Sequence, residues 1–154
     1  DKDGALYGAL YDNDTKTTLN TLVALNGGSG KTYRIQNKTE KIGKWCMYEN
    51  SVLNMLVLPD GIKTIGENGL ASTPSLTTII VYGAPVFNGN SGTNNVGKQY
   101  EWKTLYVADT YWEQYKEKLG GITEVNYWRV KPLSEYEHKD DIPAENPAKD
   151  PKTN

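Results

Sequence analysis

The chain has 154 residues, 37% of them hydrophobic, which is the size of one ordinary domain with a single core. Its formal net charge is -2, with Lys and Arg scattered among acids, so it carries neither a nucleic-acid footprint nor a polybasic membrane patch. It contains no run of about 18 apolar residues, so no bilayer-spanning helix is predicted.

Read from the N-terminus, Ala5 to Tyr11 and Thr17 to Leu25 are predicted strands, joined by the polar turn Asp12 to Lys16 into a hairpin. Such a hairpin would cover the first edge of the strands downstream of it. The chain starts at Asp1 without Met, which we read as a processed or trimmed product, so a missing signal peptide does not argue for the cytoplasm. The glycine-rich Asn26 to Gly30 leads into a strand at Tyr33-Arg34-Ile35.

From there two stretches fall on one template with a step of 23 residues. The matched pairs are Ile35 with Leu58, Ile42-Gly43 with Ile65-Gly66, Met47 with Leu70, Leu53 with Leu76, Leu56 with Ile79, and Leu58 with Val81. Within the unit, Leu56 and Leu58 alternate onto one face of a short strand, and Pro59 withholds the next ladder donor. Asp60-Gly61 supplies a turn, Ile62 and Ile65 return the chain to the core, and Gly66 suits a close backbone approach. The few apolar side chains of one unit do not offset the entropy of ordering it, so coils must stack and their ends must be capped.

The run "LNMLVLPDGIKTIGENGL", Leu53 to Leu70, resembles the repeat L-x-x-I-x-I-P-x-x-V-x-x-I-G-x-x-A-F of the BspA-like leucine-rich repeats of bacterial surface proteins. Gly69-Leu70 and Cys46-Met47 depart from it where the family favours Ala-Phe. The segment Gly8 to Ile35 also resembles the hairpin that often precedes such repeats, so the likeness covers about residues 4 to 128. The resemblance implies a leucine-rich-repeat solenoid, a β-rich right-handed superhelix with short helical segments, and a secreted or cell-surface setting. It implies no particular ligand. The expected organisation is an N-terminal hairpin cap at 1–31, repeat coils at 32–108 with a long loop at 83–101, a C-terminal helix and strand cap at 109–135, and a tail at 136–154.

Downstream of Tyr82 the period breaks. Gly83 to Gly97 is rich in Gly and Asn and reads as a loop, with Val86 and Phe87 as candidate core plugs. Thr104 to Val107 matches the earlier strands at a step of 26. Thr110 to Glu113 fits a capping box, Trp112, Tyr115 and Leu119 form an apolar helical stripe, and Gly120 supplies the stop. Ile122 to Val130 is a candidate last strand. Tyr136 to Asn154 is polar, with Pro143, Pro147 and Pro151, and is expected to be a flexible linker. Trp45 and Tyr48, inside the repeat, are expected in the core or half-buried.

No residue set amounts to an active site. "GGSGKT", Gly27 to Thr32, lacks the first glycine of a phosphate loop, since Leu25 stands there, and it runs on into a strand rather than a helix. The only histidine, His138, lies in the polar tail, which argues against a histidine-based triad and leaves no second histidine for a multi-histidine metal site. Asp1/Asp3 and Asp12/Asp14 lack the downstream glutamate of a calcium loop and read as turn chemistry. Single Cys46 can make no internal disulfide and reads as a small core residue. Neither a metal nor a cofactor is expected, and an enzyme is the weakest option.

Strand alternation gives the functional clue. With Ile35, Leu58, Val81 and Val107 inward, Arg34, Val57, Ile80 and Tyr106 point outward in one unusually apolar stripe. Three readings compete: a recognition surface, a face covered by the tail, a loop or a second subunit, and ordinary scattered exposure. Tyr82 and Trp102 would extend such a surface. The leading expectation is a non-catalytic module contacting a macromolecule through Arg34, Val57, Ile80, Tyr82, Trp102 and Tyr106, in protein binding or adhesion. The alternatives are glycan binding by the aromatic residues and a structural or assembly spacer, for which a homodimer is the sign.

Overall fold

The structure, a computed structural model, describes residues 4–13, 15–87, 103–118, 124–125 and 128–145. Strands β1 (Ala5–Asp12) and β2 (Thr17–Leu25) form the antiparallel hairpin, with a register shift between Leu6 and Tyr7. Asp12 is itself the last strand residue; buried at 3% exposure, it accepts the Thr15 amide and pairs with Lys41. After a single 3-10 turn at Gly27–Ser29 come β3 (Thr32–Arg34), β4 (Lys41–Ile42), β5 (Met55–Leu58), β6 (Thr64–Ile65), β7 (Thr78–Val81), β8 (Val86–Phe87) and β9 (Lys103–Val107). Helix α1 (Asp109–Lys118) and strands β10 (Glu124–Val125) and β11 (Trp128–Pro132) complete the order.

Alternate strands go to alternate sheets. One has the order β1-β2-β4-β6-β8 and the other β10-β11-β9-β7-β5-β3. Every neighbour contact from β2 to β8 and from β3 to β11 through β9 is parallel. Ile42 faces Ile65 in one ladder, while Leu56 faces Ile79 and Leu58 faces Val81 in the other, so residues 23 apart are hydrogen-bonded neighbours. The step lengthens to 26 where Ile79 meets Leu105. Both sheets feed one apolar cluster: Leu22, Ile42 and Ile65 from the first, Leu56, Leu58, Ile79 and Val81 from the second, and Met47, Leu53, Leu70 and Leu76 from the connections, all fully buried.

The connections repeat too. Trp45 and Asn68 have φ of 54° and 52°, and Glu49 and Ser72 have 61° and 56°, so the same left-handed positions recur 23 residues later. Gly66 is glycine because a Cβ there would sit 3.1 Å from the Ile42 oxygen of the neighbouring strand β4. Gly83 is more constrained, since its Cβ would lie 2.5 Å from the Asp60 oxygen. Asn50, fully buried, ties the hairpin to the first coil: its Nδ2 donates to the Leu25 and Asn26 oxygens at 3.2 and 3.1 Å, and its Oδ1 accepts the Val52 and Leu53 amides at 3.2 and 3.1 Å.

Several expectations need correction. Trp45 and Tyr48 are not core residues: they are 50% and 54% exposed and meet edge to face at 5.6 Å. A bulky residue pays for φ > 0 where asparagine does not. Trp45→Asn is therefore expected to raise stability by about 0.5–1 kcal/mol, read from denaturant unfolding. Val86 plugs nothing, being 52% exposed, and with Phe87 it forms β8, which pairs with β6 inside the region read as loop. Helix α1 starts at Asp109, so Thr110 lies within its first turn rather than at the cap, and Glu113 pairs with Lys116 at 3.7 Å. Tyr115 is buried with its hydroxyl donating to the Pro85 oxygen, and Trp112 packs on the core; Leu119 and Gly120 lie outside the described residues. Ile122 to Val130 is represented by two short strands, β10 and β11, paired antiparallel.

Candidate binding site

The outward face of the larger sheet is where the candidate residues converge. Register places Arg34, Val57, Ile80 and Tyr106 in one row across β3, β5, β7 and β9, with Thr32, Met55, Thr78 and Thr104 in the next row on that face. The inward partners Ile35, Leu58, Val81 and Val107 are fully buried. Val57 and Ile80 are also 0% exposed. The outward stripe is therefore not an open surface.

What covers it is the C-terminal segment. Leu133, Tyr136 and Ile142 pack with Tyr82 and Tyr106 over Met55, Val57 and Ile80, forming a second apolar cluster. The expected flexible linker thus begins at Tyr136 with a residue that is 8% exposed. Two 3-10 turns, Leu133–Glu135 and Lys139–Asp141, let this polar stretch satisfy its own backbone while turning three apolar side chains down. Residues 146–154 lie outside the described residues. The segment is fastened near both ends. Asp109 accepts the Ser134 amide at 3.0 Å, and Arg34 Nη1 donates to the Pro143 oxygen at 3.0 Å.

Arg34 is the one charged member of the stripe. Its side chain is only 12% exposed, with the guanidinium 5.1 Å over the Tyr82 ring. Nη2 stands 3.9 Å from Oε1 of Glu145, whose side chain is 70% exposed, and Nε is buried without a hydrogen-bond partner among the described residues. Two recesses open beside it. One of about 480 Å³ is lined by Arg34, Tyr82, Asp109, Ser134, Lys139 and Pro143. The other, of about 360 Å³, lies among Gly28, Ser29, Thr32, Arg34, Ala144 and Glu145, and Ser29 Oγ there is also buried without a partner among the described residues.

The predicted site is thus partly assembled. Arg34 and Tyr82 meet at the lip, Val57 and Ile80 lie beneath the segment, and Tyr106 stacks on Tyr136 at 4.8 Å. Trp102 lies outside the described residues. One face of the Tyr82 ring carries the Arg34 guanidinium, and the Tyr106 ring lies against Tyr136. Sequence reasoning missed Ser29, Asp109 and Ser134, and above all the covering side chains. Leu133 at the end of the expected cap, with Tyr136 and Ile142 three and nine residues later in the polar tail, is the available signal.

The Ser134 amide and hydroxyl hold the Asp109 carboxyl below its ordinary range. A carboxylate with a depressed folded pKa contributes stability above the unfolded value and loses it as pH falls through the folded one. Acidification below about pH 4 is expected to loosen the C-terminal segment at its Asp109 end. Near-ultraviolet circular dichroism of Tyr136 and its neighbours should change in that window, and Asp109→Asn should remove the change. Burial pushes the Cys46 thiol up to about 12, which suits an inert core residue. His138 is exposed, edge-on to Tyr136 at 6.1 Å. Among the described residues no three His, Cys, Asp or Glu side chains gather as a metal site, and no helix is long and apolar enough to cross a membrane.

Compared with protein-family models, curated proteins and solved structures, the chain matched none.

Proposed function

We propose that the chain is a non-catalytic binding module of a secreted or cell-surface bacterial protein, built as a BspA-like leucine-rich-repeat solenoid. Its ligand, a protein, is held where Arg34, Tyr82 and the C-terminal segment meet, not across the centre of the strand face. Parallel pairing of residues 23 apart in both ladders supports the solenoid reading, because stacked coils bring equivalent positions into contact. The observation that carries the binding reading is Arg34: a largely buried cation, stacked on Tyr82, with unfilled donor capacity beside two recesses. Arginine and tyrosine in desolvated settings are the side chains that anchor protein contacts.

Biolayer interferometry of the full chain against purified extracellular-matrix proteins and mucins, beside a glycan array, tests this. The reading expects saturable binding to a protein on the panel and at least tenfold weaker binding by Arg34→Ala. Unchanged binding by that variant would remove the site.

An assembly role is the second reading, favoured by β1. It is an edge strand of eight residues, with Leu6, Leu10 and Tyr11 at 56%, 47% and 60% exposure. Light scattering showing a dimer that Leu10→Lys dissolves would support it. The glycan alternative passes from Tyr82 and Tyr106 to the exposed pair Trp45 and Tyr48.

A further inference from the structure

We infer that the smaller recess beside Arg34 is a carboxylate site, and that Glu145 stands at its mouth as the chain's own competitor. This rests on the reading that a partner binds beside Arg34, and it names the chemistry of that contact. A guanidinium offers five N–H donors in a fixed plane. In Arg34 one end is taken, since Nη1 donates to the Pro143 oxygen, and a face is taken by Tyr82. What remains is the straight edge made by Nε and Nη2, the fork that matches the two oxygens of a carboxylate.

That edge is only half served. Nε has no hydrogen-bond partner among the described residues, and Glu145 Oε1 lies 3.9 Å from Nη2, too far for a hydrogen bond. Ser29, whose Oγ is also buried without a partner among the described residues, lines the same recess. Gly28 to Gly30, part of the stretch that the sequence excludes as a phosphate loop, here form a wall of the recess. Its volume of about 360 Å³ accommodates an acidic side chain or a chain terminus with its carboxylate at Arg34. With one arginine in the recess and Glu145 beside it, a monoanion fits the charge balance better than phosphate. Lys139 lines the other recess.

The sequence holds two arginines, Arg34 and Arg129, so nitrogen-15 labelling of arginine gives one Nε–H resonance to watch and one internal control. The full chain is titrated with N-acetylglycine, N-acetylglycinamide or inorganic phosphate at constant ionic strength. The expected result is a saturable shift of the Arg34 Nε–H with N-acetylglycine alone, no shift at Arg129, and at least threefold tighter binding in Glu145→Ala. Absence of a saturable shift in both the wild type and Glu145→Ala would overturn the proposal, as would a response to phosphate alone or to the amide equally. If Arg34→Ala loses protein capture while N-acetylglycine fails to bind, this inference falls and the binding reading stands. Binding of N-acetylglycine by a chain that captures no protein would sink the binding reading and leave the carboxylate site.

Discussion

Asn50→Ala is expected to lower the unfolding free energy by about 3–5 kcal/mol. The side chain is fully buried and serves four backbone groups, two carbonyls at the end of β2 and two amides ahead of β5. Alanine leaves the Leu25 carbonyl and the Leu53 amide without that partner in the interior, while the Asn26 carbonyl keeps the Ser29 amide and exposed Val52 can turn to water; each unsatisfied buried group costs about 1–3 kcal/mol before relaxation. The loss is large against the roughly 5–15 kcal/mol that stabilises an ordinary domain. At this chain length it corresponds to a fall in Tm of about 6–20 °C. A change below about 1 kcal/mol would mean that Asn50 does not join the hairpin to the first coil.

Tyr136→Asp is expected to be nearly as damaging, by a different route. Tyr136 is 8% exposed, packs with Met55, Val57 and Ile80, and stacks on Tyr106 at 4.8 Å. An aspartate there both removes an aromatic contact and sets a charge against an apolar face, which together cost about 2–4 kcal/mol. The covering segment then detaches, because the charge regains water only by leaving. The uncovered Met55, Val57 and Ile80 form an exposed apolar patch, so the variant is expected to self-associate. Light scattering together with denaturant unfolding measures both effects. A monomeric variant of unchanged stability would show that the segment contributes nothing.

The parallel ladders were readable from the sequence because equivalent positions 23 apart carry the same kind of side chain. Leu56 with Ile79 and Leu58 with Val81, paired by that step, are ladder partners. The second ladder was not readable as strands: β4 and β6 have two residues each, too few for alternation to register, although Ile42 and Ile65 were rightly matched as a pair. An aromatic residue inside a repeat suggests burial, yet Trp45 is 50% exposed, and its left-handed backbone is invisible in a single letter. The next coil carried the hint, since Asn68, a residue tolerant of that conformation, stands at the same place. At the site, alternation gave the outward row and even raised covering by the tail as one reading. Polarity argued the tail into a linker, since Leu133, Tyr136 and Ile142 follow neither helical nor strand period across two short turns.

The chain's own C-terminal segment closes off the centre of this row of outward side chains and leaves Arg34 at the lip, where we propose the contact. Thiol labelling of Ile80→Cys puts that closure to the test, with buried Cys46 as the built-in protected reference. Under native conditions the introduced cysteine should react with a maleimide no faster than Cys46, and should become reactive when Tyr136→Asp is added. Labelling of Ile80→Cys in the native chain at the rate of the denatured one would contradict it.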